Sequence, residues 1–321
     1  LGNDNLSWET AHNLNIGVDM GFLGNRIALS ADWYRRLSTD LIMQVTLPVA
    51  YGVGTQYQNV GEMLNRGVEL VLNTHNVKSQ DFNWRSTFTF SYNDNKLKKL
   101  QDSKLDWDGG RTTLYEGDNI DVLKLVKYAG VDAETGNPLL ERVEENGSIK
   151  LVNTVYEATS GNEQLSYVDC GLRRAPYWGG FTNTFSYKNW ELYVHTTYAF
   201  GFKVSDGISR EYASGRRWLS SNKRKLPSDL KVWKKAGDHA DIPMQSCDQA
   251  IRWDLSNGTS FGYVNGSYWK ISNIRLSYRF PENWLRALTI QDASLSFTCD
   301  NVCSVTSRKF YGIDPENPSG W

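Results

Sequence analysis

Apolar and polar residues alternate with a period of two along most of this chain. From Phe82 to Asn93 the even positions are Phe82, Trp84, Ser86, Phe88, Phe90 and Tyr92, while the odd ones are all polar. Arg26 to Tyr34 sets Ile27, Leu29, Ala31 and Trp33 against Ala28, Ser30, Asp32 and Tyr34, and Trp190 to Phe200 sets Trp190, Leu192, Val194, Tyr198 and Phe200 on one side. Similar runs cover Val68 to Thr74, Tyr177 to Lys188, Tyr268 to Phe280 and Leu288 to Asp300, with His12 to Gly21 as a weaker one. Alternation of this kind puts an apolar face and a polar face on each strand. Helical periodicity is nearly absent.

The count is about eight strands, each near the roughly 9 to 11 residues that cross a bilayer at a tilt. A soluble sandwich also alternates, but with strands of about 5 to 6 residues. Aromatic residues are 13% of the chain, with 12 Trp, 17 Tyr and 12 Phe, and they stand at both ends of the apolar faces. That is where interfacial Trp and Tyr belong in a membrane barrel. The predicted fold class is therefore all-β, a transmembrane antiparallel β-barrel with long outer loops.

Connection lengths support the same architecture. Leu23 to Asn25, His75 to Asp81, Lys188-Asn189 and Pro281 to Ala287 are short, whereas about 94–176 and 202–266 are long. Short turns on the periplasmic side and long extracellular loops give a parity that holds from Arg26 to Asp300. An open sheet edge cannot face lipid, because unpaired backbone groups there are costly. The expectation is that residues 1–321 are a fragment of a larger barrel, which needs at least one more strand after Asp300 to close.

Composition removes other classes. Lys+Arg total 35 against 36 Asp+Glu, a net charge of -1, so no nucleic-acid partner is implied. No run of about 18 apolar residues supports a membrane helix, and the first residues carry no signal segment. Cys170, Cys247, Cys299 and Cys303 have neither scaffold density nor zinc spacing. On one strand Cys299 and Cys303 would lie about 13 Å apart, too far to bridge, so free thiols are expected. The histidines His12, His75, His195 and His239 show no ligand spacing, and phosphate-loop and nucleophile-elbow motifs are absent. No cofactor, metal or catalytic residue is assigned. Asp106 with Asp108, or Glu144 with Glu145, read as solvated loop charge rather than a glycosidase pair.

A family resemblance runs through the chain in order. Leu6-Ser7-Trp8-Glu9, Asn15-Ile16-Gly17-Val18-Asp19, Asp32-Trp33-Tyr34 and Asn59-Val60-Gly61-Glu62-Met63 through Leu70 are similar to the SusC/RagA family of TonB-dependent outer-membrane transporters. So are Tyr128-Ala129-Gly130-Val131-Asp132, Ala175-Pro176-Tyr177-Trp178-Gly179-Gly180, Gly266-Ser267-Tyr268-Trp269-Lys270-Ile271 and Tyr311-Gly312-Ile313-Asp314-Pro315-Glu316. The resemblance implies a barrel of about 22 strands around a plug, in the outer membrane of a Gram-negative cell, with residues 1–321 as the C-terminal part of that barrel and the plug and final strand absent from this chain. It also implies import of oligosaccharides, or peptides in some members, with a SusD-like surface lipoprotein as lid and the TonB complex acting on the plug.

Candidate site residues follow from chemistry and position. In the long loops, Trp107, Tyr115, Trp218, Trp233 and Trp253 offer faces for stacking on sugars, and Arg216 and Arg217 offer donors; packing of the loops is the alternative. Asn83, Arg85, Thr87, Thr89, Asn183, Glu191 and His195 are the lumen-facing candidates. Gly67 and the pair Gly179-Gly180 read as turn or bend chemistry. Two rivals from other classes are a secreted carbohydrate-binding β-sandwich or propeller, and a β-rich glycoside hydrolase.

Overall fold

The computed structural model describes residues 3–46, 55–100, 104–107, 112–205, 228, 230–244, 255, 258–286, 289–307, 314 and 316. Four long strands open the chain: β1 (Thr10–Phe22), β2 (Ile27–Thr46), β3 (Thr55–Lys78) and β4 (Phe82–Lys99). Seven short ones follow, β5 (Lys104–Trp107), β6 (Thr112–Tyr115), β7 (Val122–Val126), β8 (Tyr128–Val131), β9 (Pro138–Val143), β10 (Ile149–Val152) and β11 (Tyr167–Leu172). Then come β12 (Tyr177–Tyr187), β13 (Trp190–Phe200), β14 (Lys203–Ser205), β15 (Tyr263–Asn265), β16 (Tyr268–Arg279) and β17 (Ser294–Thr306).

The chain divides into two compact units. The first is one eight-stranded antiparallel sheet in the order β1-β2-β3-β4-β12-β13-β16-β17. The strands pair antiparallel in chain order, through short turns at β1–β2, β3–β4 and β12–β13 and across the long insertions at β4–β12 and β13–β16. The turns are built for it: Leu23, Gly24 and Asn25 all have positive φ between β1 and β2, and Lys188 does between β12 and β13. Both edge strands, β1 and β17, are exposed almost throughout. Along a register row, direct partners share a face. One such row joins Ile16, Trp33, Val68, Tyr92, Tyr177 and Phe200 on the aromatic face.

Several boundaries differ from the sequence reading. β2 and β3 run well past Tyr34 and upstream of Val68, through a polar stretch with register shifts near Leu41. The last strand is Ser294–Thr306 rather than Leu288 to Asp300, and the preceding connection holds a short helix, Glu282–Arg286. Gly67 and Gly179-Gly180 lie inside β3 and β12, not in turns. Cross-strand tyrosines cover two of these glycines: a Cβ on Gly67 would meet the Tyr34 hydroxyl at 2.5 Å, and one on Gly179 would meet that of Tyr198 at 2.5 Å.

The second unit is formed from 102–174, 202–266 and 307–321. Its core is apolar: Val126, Leu140 and Ala158 make one cluster, and Ile242, Leu255 and Phe261 another, with Tyr128 packed against both. The helix Val155–Thr159 begins in a capping box, with Thr154 and Glu157 satisfying each other's backbone N–H groups. Val126 donates to the Gly258 carbonyl at 3.0 Å and accepts from Ser260 at 2.9 Å, so the two long insertions share hydrogen bonds.

Candidate functional site

The polar face of the sheet is organised in rows. One row joins Asn73, Thr87, Thr182, His195, Asn273 and Asp300 across six strands. Its side chains bond in pairs: Thr87 Oγ1 donates to Asn73 Oδ1 at 2.7 Å, Thr182 Oγ1 lies 2.8 Å from His195 Nδ1, and Asn273 Nδ2 donates to Asp300 Oδ1 at 2.6 Å. The next row holds His75, Arg85, Thr184, Tyr193 and Arg275. There Arg275 meets Glu191 at 3.3 Å and stands 5.2 Å over the Tyr193 ring. His75 Nε2 is 3.2 Å from Asn83 Oδ1. Nearer β1, Asp32 is directly opposite Glu69, and Ser30 donates to Asp19 at 2.6 Å.

Asn83, Arg85, Thr87, Thr89, Glu191 and His195 thus share one face. Asn183 does not, and the sequence assignment is corrected: it pairs with Ser86 and Val194, and its Oδ1 accepts from Trp84 Nε1 at 2.9 Å on the aromatic face. Asn183 is in phase with Phe181 and Phe185, so alternation places it correctly where residue type misleads. Asn73, Thr182, Asn273 and Arg275, which the sequence reading passed over, are in phase with the polar residues it did select.

The loop candidates are not gathered into one place by the described residues. Trp233 lies over Gly136, and its indole N–H donates to the Ala133 carbonyl at 2.8 Å. It clamps the β8–β9 turn, with Met244 also donating to Gly136 at 2.8 Å. Tyr115 is half-buried in β6, its N–H donating to Asp118 at 2.9 Å. Trp107 belongs to β5, its backbone paired with Thr112. Arg216, Arg217, Trp218 and Trp253 lie outside the described residues.

Electrostatics in this second unit are structural. Burial raises the Tyr128 phenol well above its ordinary value, with Asp241 adding to it, and its hydroxyl donates to the Asp241 carbonyl at 3.3 Å. Burial also raises Asp121 against the pull of Arg174 and Arg173. Asp132 is held low by the backbone N–H groups of Glu134 and Thr135 at the β8–β9 turn. Cys170, Cys299 and Cys303 are free thiols. Among the described residues no group of three or more His, Cys, Asp or Glu is placed to hold a metal. A cavity of about 250 Å³ lies at the far ends of β2 to β4, lined by Asp40, Asn59, Gly61, Glu62 and Lys99.

Comparison with known proteins places this arrangement. The family model described as TonB dependent receptor-like, beta-barrel matches residues 1–302. TonB-dependent receptor P3 of Formosa agariphila is 29% identical over 328 residues, covering 98% of this chain and 31% of that relative. TonB-dependent receptor SusC of Bacteroides thetaiotaomicron is 25% identical over 327 residues, covering 99% of this chain and 30% of its own length. Among solved structures, the RagAB peptide transporter superposes with a TM-score of 0.80 at 26% identity, over 98% of this chain and 34% of that one. The chain spans about a third of the length of the curated relatives it matches.

Proposed function

The chain belongs to the TonB-dependent receptor-like β-barrel family, and from that premise we propose that it forms part of the wall of an active importer for oligosaccharides or peptides. The family's barrels lie in the outer membrane of Gram-negative bacteria, and its members are transporters, not enzymes. The observation that carries the proposal is the pair of unlike faces on the sheet. Its aromatic face meets lipid, and its hydrogen-bonded polar face lines the lumen.

Length supports that assignment. Phe82 and Tyr92 belong to the two aromatic belts, and ten residues of strand cover about 33 Å, or about 23 Å of membrane at a 45° tilt. The apolar band of such barrels is about 25 Å tall. Two residues beyond Tyr92, on the same face, Asp94 pairs with Arg66 at 2.9 Å. An exposed ion pair at that level fits the edge of the hydrocarbon.

In this reading the sheet is a frame and the lumen side of β4, β12 and β13 is the wall. Asn83, Arg85, Thr87, Thr89, Glu191 and His195 supply donors and acceptors along it, for a plug or for a passing polar solute. Tyr115, Trp107, Trp218, Trp253, Arg216 and Arg217 are proposed as first contacts in the outer loops; Trp233 is the weakest of that group because its ring and N–H are already engaged. A SusD-like lipoprotein is the proposed lid and TonB the proposed source of work on a plug. Oligosaccharides are the first substrate class. Peptides are the second, favoured by the peptide transporter among the similar structures.

Uptake by cells carrying the intact receptor tests this. Labelled oligosaccharide or peptide pools are expected to enter saturably, and entry is expected to stop when TonB is deleted. Uptake that persists without TonB would overturn the proposal.

A further inference from the structure

We propose that Arg35, Arg66 and Lys96, on the outer wall of the barrel just beyond its upper aromatic belt, bind the phosphate of an anionic outer-leaflet lipid. The inference rests on the reading of the aromatic face as lipid-facing and of the long connections as extracellular.

The register brings these cations together. Arg35 is directly opposite Arg66, and Arg66 is directly opposite Asp94. Two residues further out, Lys96 is opposite Leu64. All are in phase with Trp33, Val68 and Tyr92, the aromatic face of β2, β3 and β4. Like charges directly opposite each other destabilise a sheet, so the Arg35–Arg66 pair calls for an anion.

Asp94 supplies only part of it. Its Oδ2 takes Arg66 Nε at 3.0 Å and Nη2 at 2.9 Å, which leaves Arg66 Nη1 unused in that pair. The Arg35 and Lys96 side chains have no hydrogen bond or ion pair among the described residues. Three cations thus face one carboxylate, an excess of two positive charges on a patch that includes the exposed Arg66 and Lys96.

Height selects the occupant. Trp33 and Tyr92 are the last aromatic residues of β2 and β4. Gauged on its own strand, Arg35 is two residues beyond Trp33 and Lys96 is four beyond Tyr92. Those steps are about 7 and 13 Å of strand, or about 5 and 9 Å of height at a 45° tilt. The headgroup layer outside the hydrocarbon is about 5 to 8 Å thick on each side, and long Arg and Lys side chains adjust their charged ends to it. The outward rim at the opposite end is uncharged: Phe82, Tyr187, Trp190 and Tyr278 form one register row there. The cations therefore mark one leaflet, on the side of the long connections. Phosphate is the anion that a lipid brings to this level, and a guanidinium fork beside an ammonium matches its oxygens.

The test is native mass spectrometry of the intact receptor, delipidated in mild detergent and titrated with lipid A, a glycolipid whose sugars carry phosphates. Arg35→Gln and Lys96→Gln should each weaken binding about fivefold, the worth of one cation near an anionic surface, and the double variant about 25-fold. Arg35→Lys should retain most of the affinity. Arg36→Gln, the same charge change one residue along on the polar face, should alter nothing. Lipid A stripped of its phosphates should bind wild type no better than lipid A binds the double variant. Equal affinity in wild type and the double variant overturns the site, as does an equal loss in Arg36→Gln or a double variant that keeps lipid A but loses a copurifying lipoprotein. Displacement of lipid A by millimolar inorganic phosphate would make the ligand a free anion and overturn the lipid assignment. A separate arm tests the premise: bimane attached at Phe88→Cys should be quenched by doxyl-labelled lipid. No quenching at 88 sinks the facing itself, whereas quenching with unchanged lipid A affinity sinks only the phosphate site.

Discussion

Tyr198 reaches over Gly179: its ring occupies the space a side chain would take there, and its hydroxyl donates to the Thr89 carbonyl one strand further on, at 2.8 Å. Its ring also stacks on Phe88, centroids 6.2 Å apart. The same device recurs on the polar face, where Tyr34 covers Gly67 and donates to Asn93 Oδ1 at 2.9 Å. A glycine that would weaken a strand is filled from its neighbour, and three strands are tied together.

Gly179→Ala is therefore expected to destabilise the folded barrel by about 1 to 3 kcal/mol, the usual cost of overpacking. Tyr198→Phe should cost only about 1 kcal/mol, one hydrogen bond. Removing the ring should not rescue Gly179→Ala, because the closest obstacle to a Cβ there is the Thr89 carbonyl oxygen. Urea titration in vesicles, following tryptophan fluorescence, reads all three. A rescued double variant Gly179→Ala/Tyr198→Ala would show that the tyrosine, not the backbone, sets the limit.

The two faces make a second, paired prediction. Phe88 and Thr87 are adjacent on β4 and point to opposite sides. Phe88→Arg should cost about 2 to 4 kcal/mol near the midplane, because the charge enters hydrocarbon. Thr87→Arg, on the polar side, should stay within about 1 kcal/mol, the loss of its bond to Asn73. Assembly yield and the heat-dependent mobility shift on gels compare them. Equal penalties would mean that the two faces do not meet different solvents.

The same alternation explains what the sequence made legible. Phe82 to Asn93 falls inside β4 because its phase never breaks, and phase is a local property. The last strand begins at Ser294 rather than Leu288 because Leu288 and Ile290 are even-numbered, whereas Leu295, Phe297 and Cys299 share the aromatic face at odd positions. That phase change marks the end of a connection. Asn183 is polar, but its phase is that of Phe181 and Phe185, and phase decides its face. The tyrosine covers over Gly67 and Gly179 depend on cross-strand register, which no local window contains, so from sequence alone those glycines read as turns. The short strands of the second unit, such as β7 with burial on both faces, carry no alternation to read.

In the second unit, Gly136 and Trp233 decide between structure and ligand binding. Gly136 has φ +73, and a Cβ on it would meet the Trp233 ring at 2.5 Å. Gly136→Ala should thus open the clamp on the β8–β9 turn through strain and clash together. Trp233→Ala should do the same by removing the ring and the bond to Ala133. Limited proteolysis is expected to cut both variants within 128–143 or 231–244 several-fold faster than wild type. A Trp233→Ala variant with wild-type resistance and weakened substrate binding would return Trp233 to the ligand contacts.

Cys170 offers a pH-dependent readout of the same unit. Burial raises its thiol above the ordinary range, Asp169 adds to that, and the sulfur lies 3.7 Å from the Leu125 carbonyl. A raised value means a smaller thiolate fraction at any given pH, and the thiolate is the nucleophile. Alkylation of Cys170 in the folded protein should therefore lag a free peptide thiol at pH 8 and keep accelerating above the pH at which the peptide levels off. The stability sign follows: the folded state resists ionisation, so any contribution from this group is present below the unfolded thiol's value and declines as pH rises through it. Mass mapping of the Cys170 peptide against time, from pH 7 to 10, measures the first claim. A rate matching the free thiol at every pH would mean that Cys170 is open to solvent, and that β11 does not cover it against β7.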